Sequence, residues 1–280
     1  MLLTVRDFTT RVESDLNGLI DELQAITGRY GDWELRAWQR SLPQVSVLLS
    51  QAPLQDFHVH LGQSGGAALE YRLPASSSWC DVVLLGASPT GPSAVVLELK
   101  DWDTSGDQPG PREGLIMHKG ALYLHPADQV RGYVEYCRNF HSAIVATNAG
   151  VHGCVFFTTR TDIAPYVAAP HARLTTDFPV FSQNDIHGPD GLPTYIARHL
   201  VLPNEDFARR FDQGSYVQDR NFVIQVAKAI QSSPEPAFVL LDEQRRGFEL
   251  CMATIDKHLA AGATNKAVII VEGPPGSGKS

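Results

Sequence analysis

Two acids and one amine are spaced so that they could do chemistry together. Asp81 precedes the apolar run Val82–Leu85, and Glu98 and Lys100 close the apolar run that begins at Ala94. The connection between the runs, Gly86–Ser93, is rich in turn formers, which predicts an antiparallel hairpin. Its centre falls between residues 89 and 90, and so does the centre of the Asp81/Glu98 pair. A symmetric register therefore sets the two carboxylates opposite each other on one sheet face. Strand alternation puts Lys100 on that face and turns Leu97 and Leu99 to the other. Facing acids in an apolar hairpin are unfavourable unless something compensates them. A divalent cation would: Mg²⁺ binds through one or two carboxylates, keeps several waters and shares its remaining positions with phosphate oxygens. Such an ion could polarise a phosphodiester and acidify a bound water. Lys100 would orient or help activate that water and steady the developing charge. From the hairpin alone an ordinary solvated face with a Glu–Lys pair is equally open.

A second chemical signal lies at residues 273–280, which match G-x-x-x-x-G-K-[ST] just after the strand-like run Val268–Val271. In a phosphate-binding loop of this kind the backbone N–H groups around Gly273, Gly276, Ser277 and Gly278 surround the phosphates. Lys279 reaches the β/γ oxygens and Ser280 binds Mg²⁺. The helix that completes such a site would follow Ser280. The expectation is therefore a longer parent protein that uses ATP, with no ATP hydrolysis by these 280 residues alone.

Downstream of the hairpin, Gln129 and Tyr133 are four apart on a predicted helix and share a face. With Asp81, Glu98-Leu99-Lys100 and Gln129-Val-Arg-Gly-Tyr133 in this order, residues 30–160 resemble the RecB-like branch of the PD-(D/E)xK nuclease superfamily. Cys80 stands where that superfamily often has proline. The resemblance implies a restriction-endonuclease-like α/β fold, a mixed sheet flanked by helices. It also implies a Mg²⁺ or Mn²⁺ site formed by Asp81, Glu98 and the backbone carbonyl of Leu99. Gln129 and Tyr133 would position the substrate or the lysine. Members often add a helix-borne glutamate, for which Glu34 is the best match.

The segment Leu240-Leu241-Asp242-Glu243-Gln244, 29 residues before the phosphate loop, is similar to the stretch in superfamily 1 helicases whose glutamine reads adenine. Gln244 is the matching residue. The domain order resembles bacterial proteins that join a nuclease-like domain to a Schlafen-like DNA/RNA helicase. That likeness implies ATP as a cofactor of the parent protein, a nucleic-acid partner with DNA favoured over RNA, and a place in defence against phage. Two other readings stay open: a nuclease-derived module that binds nucleic acid without cutting it, and a regulatory domain of an ATPase that acts on something else.

The elements that must position these residues follow from periodicity. Residues 11–50 read as helical, with Trp33, Ala37, Trp38 and Leu42 near one face, and residues 57–100 as strands. Asp101–Pro111 reads as a loop, and 115–124 as a small hairpin turning at Lys119-Gly120. A helix is expected over 126–146 with Pro126 in its first turn, and a strand over Val151–Thr158. Residues 160–195 read as irregular, and 204–232 and 242–261 as helical. The expected division is a nuclease-like domain at 1–200, a helical connector at 201–265 and the start of a P-loop domain at 266–280, with a loose boundary near 195–215.

Composition narrows the class. Hydrophobic residues make up 43% and charged residues 19% of the chain, enough for a packed core. No apolar run approaches the ~20 residues of a membrane helix, so no membrane partner is expected. Four widely separated cysteines without a C-x-x-C pair fit a reducing cytoplasm, and a homo-oligomer is compatible with all of this. A net charge of −8 confines any nucleic-acid surface to a local patch.

Asp56-Phe57-His58-Val59-His60 resembles the entry motif of metal-dependent amidohydrolases, but no regular βα alternation follows it; a strand with two same-face histidines, able to contact nucleic acid, is the better reading. His118, His125, His141, His152, His171 and His187 show no tight ligand spacing. Arg209-Arg210 and Arg245-Arg246 read as solvated helix charges.

Overall fold

The computed structural model describes residues 2–28, 30–51, 54–60, 71–72, 79–159, 161–215, 217, 240–262 and 266–272. Its centre is a six-stranded mixed sheet in the order β1 (Leu2–Thr4), β2 (His58–His60), β5 (Val82–Ser88), β6 (Gly91–Lys100), β10 (Gly150–Phe157) and β11 (Val180–Ser182). The first four of these strands pair antiparallel, and β6, β10 and β11 run parallel. Strands β3 (Tyr71–Arg72) and β4 (Trp79–Cys80) form a separate pair. Strands β7 (Gln108–Pro109), β8 (Leu115–His118) and β9 (Ala121–Leu124) form a small second sheet.

Helices cover both faces of the large sheet. On one side lie α1 (Val5–Ser14), α2 (Leu16–Thr27), α3 (Asp32–Leu49) and α8 (Leu192–His199), packed on Val82, Leu84, Val95, Leu97 and Phe156. On the other lie α4 (Pro126–Phe140), α5 (Ser142–Thr147) and α9 (Glu205–Asp212), packed on Val83, Leu85, Ala94, Val96 and Val155. Short helices α6 (Ala164–Val167) and α7 (Ala172–Asp177) precede β11, and α10 (Asp242–Ala260) lies against the β8–β9 hairpin. No helix among the described residues is long and apolar enough to cross a membrane.

The hairpin register is the one expected, Val82 facing Leu97 and Gly86 facing Ser93. The connection is shorter than expected. Strands continue to Ser88 and from Gly91, so only Pro89 and Thr90 turn, with proline at the second turn position and glycine at the fourth, where such turns favour them. The β8–β9 turn is at Lys119-Gly120, both with positive φ (48° and 80°), the backbone of a type I′ hairpin turn.

Helix α4 starts as expected, with Pro126 in its first turn and the His125 side chain accepting the Ala127 N–H. Its inner face lies on β10 at Gly153, where a Cβ would come within 2.3 Å of Val130, so only glycine permits this approach.

Several expectations are corrected. The helical stretch 11–50 belongs to three helices, divided at Asp15 and after Gly28, which caps α2 in the left-handed conformation. The helix over 126–146 breaks at His141, whose backbone is extended and whose ring stacks 4.1 Å from that of Phe211. Within 160–195, residues 180–182 extend the parallel sheet, a strand too short to show periodicity. Residues 266–272 form no strand, and Val268 and Ile270 are 83% and 78% exposed; no described strand stands beside them to pair. Helix α9 buries Phe207, Ala208 and Phe211 in the main core, so the packed unit runs past residue 200. The helix expected over 204–232 ends at Asp212, with residues 213–215 non-helical; its remainder over 218–232 and the phosphate loop at 273–280 lie outside the described residues.

Candidate functional site

The site is built where β5 begins and β6 ends. One step beyond the Val82–Leu97 pair, Asp81 lies in a bend opposite Glu98, and its carboxylate accepts the Leu99 N–H at 2.8 Å. Asp81 thus continues the hairpin by side chain where the backbone ladder stops. Alternation sets Glu98 and Lys100 toward α4, while Leu99 packs against the α1–α3 layer. The Lys100 ammonium donates to Glu98 Oε1 at 2.5 Å and to Gln129 Oε1 at 3.0 Å. Gln129 Nε2 donates to the Tyr133 hydroxyl at 2.7 Å, one helical turn along α4. The Tyr133 hydroxyl donates to Asp242 Oδ1 at 2.9 Å, in the first turn of α10. Lys100 Nζ also lies 5.4 Å from the centre of the Trp102 ring, which stacks on His118; His118 in turn is held by Asp107 at 2.8 Å.

Asp81, Glu98, the Leu99 backbone, Lys100, Gln129 and Tyr133 are therefore gathered in one hydrogen-bonded cluster. Asp242 joins it through Tyr133, and the Trp102 ring lies beside the Lys100 ammonium; neither follows from the sequence motifs. The sequence resemblance places Asp242 only within the stretch matched to adenine reading. Its partner Tyr133 is 109 residues away, a distance over which spacing carries no signal.

The electrostatics are those of a buried surplus of acid. Burial pushes the Glu98 carboxyl up to about 8; the Asp81 charge adds to this and Lys100 opposes it. Burial alone would lower the Lys100 ammonium, but Glu98, Asp81 and Asp242 outweigh it and hold it above its ordinary value. Lys100 is thus a cation that donates hydrogen bonds, not a free base. The Tyr133 hydroxyl is raised by burial and by the charges of Glu98 and Asp242, and stays protonated. Glu98 is 3% exposed, and its second oxygen has no hydrogen-bond partner among the described residues. A buried, unpartnered carboxylate oxygen beside a second carboxylate is a fit for a small, hard cation with oxygen ligands. Among the described residues no three His, Cys, Asp or Glu side chains gather as a metal-binding group. Mg²⁺ needs fewer, since it retains water.

The remaining expected site residues are not part of this cluster as described. Position 34 is on α3, which an Arg40–Asp101 ion pair (2.7 Å) holds beside the end of β6; the Glu34 side chain is outside the described set. Gln244 is exposed on the first turn of α10. Gly273, Gly276, Ser277, Gly278, Lys279 and Ser280 lie outside the described residues.

His58 and His60 lie on β2 as a strand, but both are buried and offer no face to nucleic acid; His60 Nε2 pairs with Asp212 at 2.9 Å. Arg209 and Arg210 are solvated, paired with Glu205 and Asp206 one turn back. Arg245 and Arg246 are not. Arg245 joins Arg131 on buried Asp128, at 2.6 Å, and Arg246 donates to the Leu122 carbonyl.

No family model, curated protein or solved structure matches the chain.

Proposed function

We propose that the cluster is a cation-dependent phosphodiesterase site and that the chain is a nuclease of the PD-(D/E)xK type. The observation that carries this reading is the meeting of Asp81, Glu98 and Lys100 with Gln129 and Tyr133 in one network that holds more buried acid than base. The mixed sheet with helices on both faces is the architecture that the resemblance implies. Asp81, Glu98 and the Leu99 carbonyl would hold Mg²⁺ or Mn²⁺, which would polarise the phosphodiester and acidify an attacking water. Lys100, kept charged, orients that water and offsets charge on the phosphoryl oxygens. Gln129 gives Lys100 a second acceptor beside Glu98. In the reaction the attacking water gives up a proton to solvent, its oxygen forms the new P–O bond, one ester P–O bond breaks, and solvent protonates the departing oxygen.

Nucleotide binding at Gly273–Ser280 with Gln244, and coupling to a helicase motor in phage defence, belong to the same proposal and are supported by the sequence motifs alone.

The experiment is incubation with labelled single- and double-stranded DNA and with RNA in Mg²⁺ or Mn²⁺. Cutting by the wild type, abolished in Asp81→Ala and Lys100→Ala, is the expected result. Salt-sensitive binding without cutting would replace it with the binding module. Neither binding nor cutting would leave the ATPase-regulatory reading.

A further inference from the structure

Helix α10 is seated on the candidate site through contacts too specific for a solvated connector. Gly132 of α4 leaves room for the chain entering α10; a Cβ there would lie 3.1 Å from Leu241 and 3.2 Å from the Leu240 carbonyl. Gly114 does the same further along, where a Cβ would meet Asp128 at 2.8 Å and Glu249 at 3.0 Å. Arg245 then pairs with buried Asp128 at 2.6 Å, and Arg112 pairs with Glu249 at 2.8 Å and with Asp256. Asp242 begins the helix with φ +41°, an uncommon conformation for a side chain-bearing residue.

Hydrogen-bond polarity gives this docking a consequence at Lys100. A carboxylate can only accept and an ammonium can only donate. Asp242 therefore takes the one proton of the Tyr133 hydroxyl, which leaves the phenolic oxygen to accept from Gln129 Nε2. That turns Gln129 Oε1 to Lys100. Without Asp242, the buried hydroxyl loses its acceptor and competes with Lys100 for the same amide oxygen.

We propose that Asp242 is a positioning residue, and that the seating of α10 sets the orientation of Lys100 through Tyr133 and Gln129. The relay stands on geometry; its effect on cutting rests on the proposed nuclease reading. Movement of α10, the helix that carries Gln244, would loosen the Gln129 hold on Lys100, leaving Glu98 as its partner, and so regulate the site.

The test is acylation of lysines in the 280-residue chain, mapped by mass spectrometry. Lys119, exposed on the β8–β9 turn, serves as internal reference. Lys100 should be protected in the wild type. Asp242→Ala should raise the Lys100-to-Lys119 labelling ratio about fivefold, the population change that follows from losing a hydrogen bond of about 1 kcal/mol. Asp242→Asn keeps an acceptor oxygen and should stay close to wild type. Arg112→Ala loosens α10 without touching the relay and should also raise the ratio, which keeps the test available if Asp242→Ala does not fold. In cutting assays Asp242→Ala should lower kcat and leave KM unchanged, as a loss of Lys100 orientation requires.

Unchanged labelling in Asp242→Ala and Arg112→Ala would overturn the proposal even if the wild type cuts nucleic acid. Raised labelling in a protein that cuts nothing would uphold the relay and remove the nuclease reading instead.

Discussion

At the residue scale the account rests on an imbalance of buried charge. Asp81, Glu98 and Asp242 act on a single ammonium, and burial already holds Glu98 toward its protonated form. Removing Lys100 leaves the acids without a cation. In metal-free protein, Lys100→Ala should therefore lose about 3–5 kcal/mol of stability in urea unfolding, the usual penalty for breaking a buried pair. Glu98→Gln removes part of the surplus and should stay within about 1 kcal/mol of wild type, while abolishing cutting. Mg²⁺ should raise the melting temperature of the wild type and leave that of Glu98→Gln unchanged. A large loss of stability in Glu98→Gln would mean that Glu98 serves chiefly as the partner of Lys100. The facing of Asp81 and Glu98 was legible in the sequence because the hairpin is symmetric about its turn and a one-residue slip would bury Lys100 on the wrong face. The presence of Asp242 was not legible, since its contact with Tyr133 depends on how α10 docks rather than on local pattern.

At the element scale, α4 presents Gln129 and Tyr133, and its start depends on one neutral histidine. His125 Nδ1 accepts the Ala127 N–H, and its Nε2 side faces the Tyr166 carbonyl at 3.0 Å. Burial, with the nearby His171 and Arg131 adding to it, pushes His125 down to about 3. An unfolded histidine titrates near 6.5, so between about 6.5 and 3 the unfolded chain binds the extra proton. The stabilisation is complete above pH 6.5 and is lost as pH falls toward 3, by about 1.4 kcal/mol per pH unit. His141, driven to about 3 first by burial and then by His60, adds to the same slope. Urea unfolding at pH 7.5 and 5.5 should show this loss, and His125→Asn, which caps without titrating, should reduce it. An unchanged slope in that variant would separate the cap from the acid sensitivity. Pro126 and the 3.6-residue periodicity made the start of α4 readable. Its end at His141 was not, because the break is imposed by the Phe211 ring arriving from α9. The same holds for β11, three residues whose strand character comes from pairing with β10.

At the scale of the whole molecule, the chain carries a net charge of −8, and its candidate site is acidic as well. A phosphate backbone approaching metal-free protein meets repulsion, so divalent cation should govern binding as well as cutting. In fluorescence polarisation with a non-cleavable nucleic acid, replacing Mg²⁺ by EDTA should weaken affinity roughly tenfold. Equal affinity would place binding on a surface remote from the acids. The central strands were readable from their apolar runs, whereas Arg245 and Arg246, which read in sequence as solvated helix charges, dock against α4 and β9. The most direct test of the central claim is anomalous scattering from a crystal of the protein soaked in Mn²⁺. A single strong peak bounded by the Asp81 and Glu98 carboxylates and the Leu99 carbonyl, absent in Asp81→Ala, is the expected result. No peak there at saturating Mn²⁺, with Lys100 still bound to Glu98, would contradict it.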